Sequence, residues 1–99
     1  MTQEKRTLLQ RLLPVVVGLY NETAKLSQGD GDPQLWYNRG YADGMVKAMR
    51  QLGYSGELDG ATSPATIEVD DTAGFLPWGK AYRHGFEMGE RETREVLTG

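Results

Sequence analysis

His84 is the only histidine of the chain, and Glu87 follows it at helical spacing. On a helix, side chains at i and i+3 can share one metal ion. One such pair supplies two ligands, whereas a structural or catalytic zinc takes three or four. With no cysteine in the sequence, thiolate ligands, disulfides and cysteine nucleophiles are excluded as well. The pair therefore reads as a surface histidine beside a glutamate. The run Gly29–Pro33, "GDGDP", has the look of a calcium loop. It lacks the third acid, the glycine at loop position six and the closing glutamate that such a loop requires, and reads as a loop followed by a helix cap. Ser27, Ser55 and Ser63 sit in turn-like settings with no base nearby in sequence. Asp70 and Asp71 are adjacent, and adjacent residues of an extended chain face opposite ways. No phosphate loop, nucleophile elbow or dinucleotide fingerprint is present. The expectation is a chain that is not an enzyme and carries no metal and no cofactor.

A second set of residues is suited to binding. Trp36-Tyr37 and Phe75-Leu76-Pro77-Trp78 place aromatic rings at two helix starts, with Arg39 and Arg83 close in sequence. Aromatic rings with arginine are the usual material of a protein-binding hot spot. The same set, Arg39 and Arg83 with Tyr37 and Tyr82, could also stack on and pair with a nucleotide-like anion. The plainer expectation is that both tryptophans close the ends of the core.

These rings belong to a repeated pattern. "YNRGYADG" at 37–44 and "YRHGFEMG" at 82–89 both read Y-x-x-G-(Y/F)-x-x-G. On a helix, Tyr37, Gly40, Tyr41 and Gly44 share one face, and Tyr82, Gly85, Phe86 and Gly89 share another. Each face is a glycine floor beside an aromatic wall. A glycine inside a helix costs about 0.8–1 kcal/mol relative to alanine, so four cost about 3–4 kcal/mol. That is large against a total stability of about 5–15 kcal/mol. Close backbone approach is the natural compensation: helices 2 and 3 packing through these faces, with helix 1 covering the remainder. The alternatives are a homodimer formed through one patch, or a flat ligand lying on a glycine floor. Outside the motif only Leu52 and Leu97 correspond at the same offset, which favours convergence over duplication.

The elements that must position these residues follow from periodicity. Helix 1 is expected over about 3–27, with Leu8, Leu9, Leu12, Leu13, Val16, Leu19 and Tyr20 at three- and four-residue spacing. Pro14 either kinks it or starts a second helix; the kinked single helix is preferred because no turn residues precede the proline. Asp32-Pro33 reads as an N-cap with proline at the first helical position. Helix 2 is expected over about 33–52, ended by Gly53. Helix 3 is expected over about 77–97, with Trp78, Tyr82, Phe86, Gly89, Thr93 and Val96 along one side. Its outer face is a charge lattice in which Glu87–Arg91 and Glu90–Arg94 form i,i+4 pairs. Residues 54–75 read as an acidic hairpin of two short strands or as a loop. The expected fold is a single domain over 1–99, mainly α: three helices in a compact domain, with the short acidic β-hairpin or loop between helices 2 and 3.

Charge narrows the function classes. The net charge is −3 in 99 residues. Residues 54–77 hold Glu57, Asp59, Glu68, Asp70 and Asp71 and no basic residue. No basic stripe of the kind that binds nucleic acid is present. Leu12–Tyr20 is too short to span a membrane, and no small-residue cleavage site follows it, so a cytoplasmic protein is expected. In style, as a short cysteine-free chain without catalytic motifs, it resembles small accessory proteins of phages and bacteria, including inhibitors of host defence. That likeness covers no aligned segment and assigns no residue. The leading expectation is a non-catalytic protein-interaction module whose acidic surface, Glu57, Asp59, Glu68, Asp70 and Asp71, meets a basic partner. The alternative is a binder or sponge for a nucleotide-like ligand.

Overall fold

The computed structural model describes residues 3–24, 32–54, 56, 58 and 76–98, with side chains from Arg6 onward. They form three helices, α1 (Gln3–Glu22), α2 (Pro33–Gln51) and α3 (Pro77–Thr98), and no strand among the described residues. The mainly α class expected from the periodicity is what is found. The hairpin or loop expected over 54–75 lies outside the described residues, apart from Tyr54, Gly56 and Leu58.

Helix α1 is continuous through Pro14, whose ring lies on the exposed side. Pro14 does not split the helix. The helix ends at Glu22, short of the expected residue 27. Thr23 folds back on the last turn, and both its backbone N–H and its hydroxyl donate to the Leu19 carbonyl, at 3.1 and 2.7 Å. Leu9, Val16 and Tyr20 are the buried stripe of α1. They pack with Ala42, Met45 and Met49 of α2.

Helix α2 starts where the sequence signals it. The Asp32 side chain accepts from the Gln34 N–H at 2.9 Å, satisfying one of the orphan donors of the first turn. At the other end Gly53 has φ +93°, the left-handed region that glycine tolerates. Its N–H donates to the Arg50 carbonyl and the Tyr54 N–H to the Met49 carbonyl, at 3.1 and 2.9 Å. This is a Schellman cap. The cap turns the chain so that Tyr54 and then Leu58 enter the core beside Met49 and Leu97.

Helices α2 and α3 run parallel. Trp36 meets Trp78, Gly40 meets Tyr82, Gly44 meets Phe86, Lys47 meets Glu90 and Gln51 meets Arg94, so both numbers rise together along the pair. The C-terminal end of α2 and the start of α3 thus lie at opposite ends of the pair, about 30 Å apart at 1.5 Å per residue. Helix α3 buries Gly89 and Thr93 of the expected stripe, but takes Leu97 into the core in place of Val96, which is 42% exposed. The apolar cluster at that end, Leu9, Tyr54 and Leu58, includes Leu97.

Candidate functional site

The repeated motif forms the contact between α2 and α3. A Cβ placed on Gly40 would lie 2.0 Å from the Tyr82 carbonyl oxygen, and one on Gly85 would lie 2.1 Å from the Tyr37 oxygen. One turn further on, a Cβ on Gly44 would lie 2.1 Å from the Phe86 oxygen and one on Gly89 2.1 Å from the Tyr41 oxygen. Each contact has its mirror. Gly40 sees the carbonyl three residues before Gly85, and Gly85 sees the carbonyl three residues before Gly40. The pair is therefore related by a local two-fold running along the helices. An oxygen that close to the missing Cβ must lie nearly along a glycine Cα–H bond, the arrangement of a Cα–H···O contact, which has a carbon–oxygen distance of about 3.3–3.6 Å. Each glycine floor is filled by the facing helix of the same chain. The seat considered for a second chain or a flat ligand is taken.

The aromatic walls flank this contact. Tyr37–Tyr41 and Tyr82–Phe86 are matching steps, each with ring centroids 6.3 Å apart. Trp36 is fully buried and lies 4.5 Å from Trp78, so the two tryptophans close one end of the pair together.

A polar hub ties α1 to the pair. The Asp43 carboxylate accepts one hydrogen bond from the Tyr20 hydroxyl of α1 and one from the Tyr82 hydroxyl of α3, both at 2.5 Å. Arg39, one turn earlier on α2, lies 3.8 Å from the same carboxylate, with its guanidinium 4.6 Å from the centre of the Tyr20 ring. Arg39 is only 3% exposed. The arginine expected to reach a ligand is thus a buried internal cation. Burial, followed by the hydrogen bond to Asp43 and its charge, holds the Tyr20 and Tyr82 phenols far above their ordinary range. On the opposite side of the pair the Tyr41 hydroxyl donates to Glu92. Burial and then that carboxylate push Tyr41 up to about 12. Sequence reasoning passed over Asp43 and placed Tyr20 only in the apolar stripe of helix 1. The available signal was Arg39-x-x-x-Asp43, an ion pair at helical spacing placed inside the aromatic motif.

The other expected residues are dispersed. Tyr37 packs edge-on against the His84 ring, with centroids 5.5 Å apart, away from Arg83 and Tyr82. His84 and Glu87 are exposed. Among the described residues no three histidine or acidic side chains gather as a metal site would need. In the charge lattice Glu90 pairs with Arg94 at 3.0 Å, but Arg91 donates to the Met88 sulfur at 3.1 Å instead of pairing with Glu87. Glu57, Asp59, Glu68, Asp70 and Asp71 lie outside the described residues.

Among the described residues, open space lies beside the glycine contact. A groove of about 410 Å³ runs between α2 and α3, lined by Lys47, Gly79, Tyr82, Arg83, Phe86, Glu87 and Glu90. Lys47 reaches across it, 3.4 Å from Glu90 and 5.4 Å from the centre of the Phe86 ring. Of the four residues expected to hold a ligand, Tyr82 and Arg83 line this groove. Arg39 and Tyr37 do not. Among the described residues no helix is long and apolar enough to cross a membrane. No protein-family model, curated protein or solved structure matches the chain.

Proposed function

We propose that the chain is a non-catalytic module that binds a basic surface of a partner protein through Glu57, Asp59, Glu68, Asp70 and Asp71. One observation carries this reading: acidic and basic residues are interspersed along the helices, whereas 54–77 is of one sign. Asp43 is matched by Arg39, and Glu90 by Lys47 and Arg94. Residues 54–77 hold five acids and no base. The parallel helices add weight. The chain bearing those acids joins opposite ends of the pair, about 30 Å apart. A single-sign segment of this kind steers a basic partner and makes association salt-sensitive. A small cytoplasmic accessory or inhibitor protein, of phage or bacterial type, is the setting that suits such a module. The test is affinity purification with the wild-type chain and with all five acids changed to lysine. A partner retained at low salt by the first and lost by the second is the expected result. Equal recovery by both at low salt refutes the reading.

A second reading, a binder of a small nucleotide-like ligand, is favoured by the groove, where Tyr82 and Arg83 stand with Lys47 and Phe86. Its volume falls in the range of about 300–1,000 Å³ typical of ligand pockets. A thermal-shift screen with nucleotides separates the two readings. Ligand at 100 times its dissociation constant stabilises the fold by about 2.7 kcal/mol, and no shift with any nucleotide removes the second.

A further inference from the structure

We infer that the groove between α2 and α3 takes a mononucleotide whose base presents a donor edge, of the guanine class. This rests on the second reading above and names its ligand. The wall is preorganised. The Tyr82 ring is fixed by its hydrogen bond to Asp43 at 2.5 Å and by an edge contact to Trp36, with centroids 6.4 Å apart. The Phe86 ring is the next step of the same wall. A flat base gains by stacking on such rings whatever its identity. Gly79, buried, lines the groove beside Tyr82.

The charges then decide which nucleotide. Arg83 is exposed and makes no ion pair among the described residues, so its guanidinium can fork onto a phosphate. Lys47 can turn to the same phosphate at little loss, because its partner Glu90 keeps Arg94 at 3.0 Å. Glu87, also without an ion pair among the described residues, offers two acceptor oxygens. A carboxylate suits a base edge with two adjacent N–H donors, as guanine has. Adenine has no such ring donor beside its amino group. The two carboxylates in the groove also oppose a triphosphate. The order that follows is GMP above AMP and above GTP.

The experiment titrates the full-length protein with GMP, AMP, UMP, GTP and inorganic phosphate, following amide and aromatic NMR shifts with melting temperature in parallel. Saturable shifts confined to Lys47, Gly79, Tyr82, Arg83, Phe86, Glu87 and Glu90, strongest for GMP, support the inference. Arg83→Ala and Glu87→Gln alter exposed side chains. With melting temperatures matching wild type, each should weaken GMP by about tenfold or more, the usual loss for a charged hydrogen bond. If AMP or UMP binds as well as GMP, or Glu87→Gln leaves GMP affinity unchanged, the donor-edge assignment is overturned while the groove stands as a nucleotide site; if GTP binds as well as GMP, the monophosphate assignment is overturned. If no nucleotide moves these residues, the inference and the second reading fail together.

Discussion

Replacing Gly85 with alanine adds one methyl group where the structure has no room for it. The new Cβ would lie 2.1 Å from the Tyr37 oxygen, 2.9 Å from its carbonyl carbon and 3.0 Å from the Tyr41 nitrogen. All three are backbone atoms of a regular helix, so no side chain can swing aside. Restoring a carbon–oxygen separation of about 3.3 Å requires α2 and α3 to part by about 1.2 Å. A gap of about 0.5–1 Å already forfeits a quarter to a half of the attraction across a contact. The facing Cα–H···O contacts, each about 0.5–1 kcal/mol, weaken with it. Against this, alanine is about 1 kcal/mol better than glycine in a helix. The expected net loss is about 2–3 kcal/mol, or about 10–20 °C in melting temperature for a domain of this size. Gly18→Ala is the built-in control. Nothing lies within 4 Å of its Cβ position, so only the helix gain remains and stability should rise by about 0.5–1 kcal/mol. Urea unfolding of the two variants beside wild type reads both. If Gly85→Ala raises the midpoint as Gly18→Ala does, close backbone contact is not what the motif provides.

Three further outcomes follow. Asp43→Asn leaves Arg39 buried without its carboxylate and weakens both phenol hydrogen bonds, and should cost about 3 kcal/mol in urea unfolding, in line with breaking a buried ion pair. Alkaline stability has a definite sign. Tyr20, Tyr41 and Tyr82 favour the neutral phenol in the folded state. Their contribution is therefore complete below the ordinary tyrosine value of about 10 and is lost as pH rises above it, for Tyr41 up to about 12. Denaturation followed against pH, with phenolate absorbance, should show these three ionising together with unfolding. Gly53→Ala forces a side chain onto a left-handed residue and should destabilise by about 1–2 kcal/mol without altering the α2–α3 contact, as circular dichroism melting would show.

The glycine faces were legible because helical spacing alone puts Gly40 with Gly44 and Gly85 with Gly89, and four helix-interior glycines call for a close contact. The direction of the pair was not. Spacing says which residues share a face, but not which way the facing helix runs; the rising run of contacts, Gly40 with Tyr82 and then Gly44 with Phe86, settles that. Arg39 shows a second limit. Its position on α2 turns it towards Tyr20, and a contact with another element has no trace in the local pattern of 37–44. The same holds for Asp43, which lies within the motif yet takes its hydrogen bonds from residues 23 and 39 positions away. The caps were the most readable features. Asp32-Pro33 and Gly53 act through backbone groups within a few residues of themselves.

The parallel pairing of α2 and α3 within one chain can be measured directly. The sequence has no cysteine, so Lys80→Cys, an exposed site near the start of α3, takes a single nitroxide label. Within α2, broadening should be strongest in the amides of Leu35 to Arg39 and weakest at Arg50 to Leu52, about 20 Å further along the helix. It should vanish when labelled unenriched protein is mixed with unlabelled isotope-enriched protein. Strongest broadening at Arg50 to Leu52, or broadening that survives the mixing, would contradict the parallel pair within one chain.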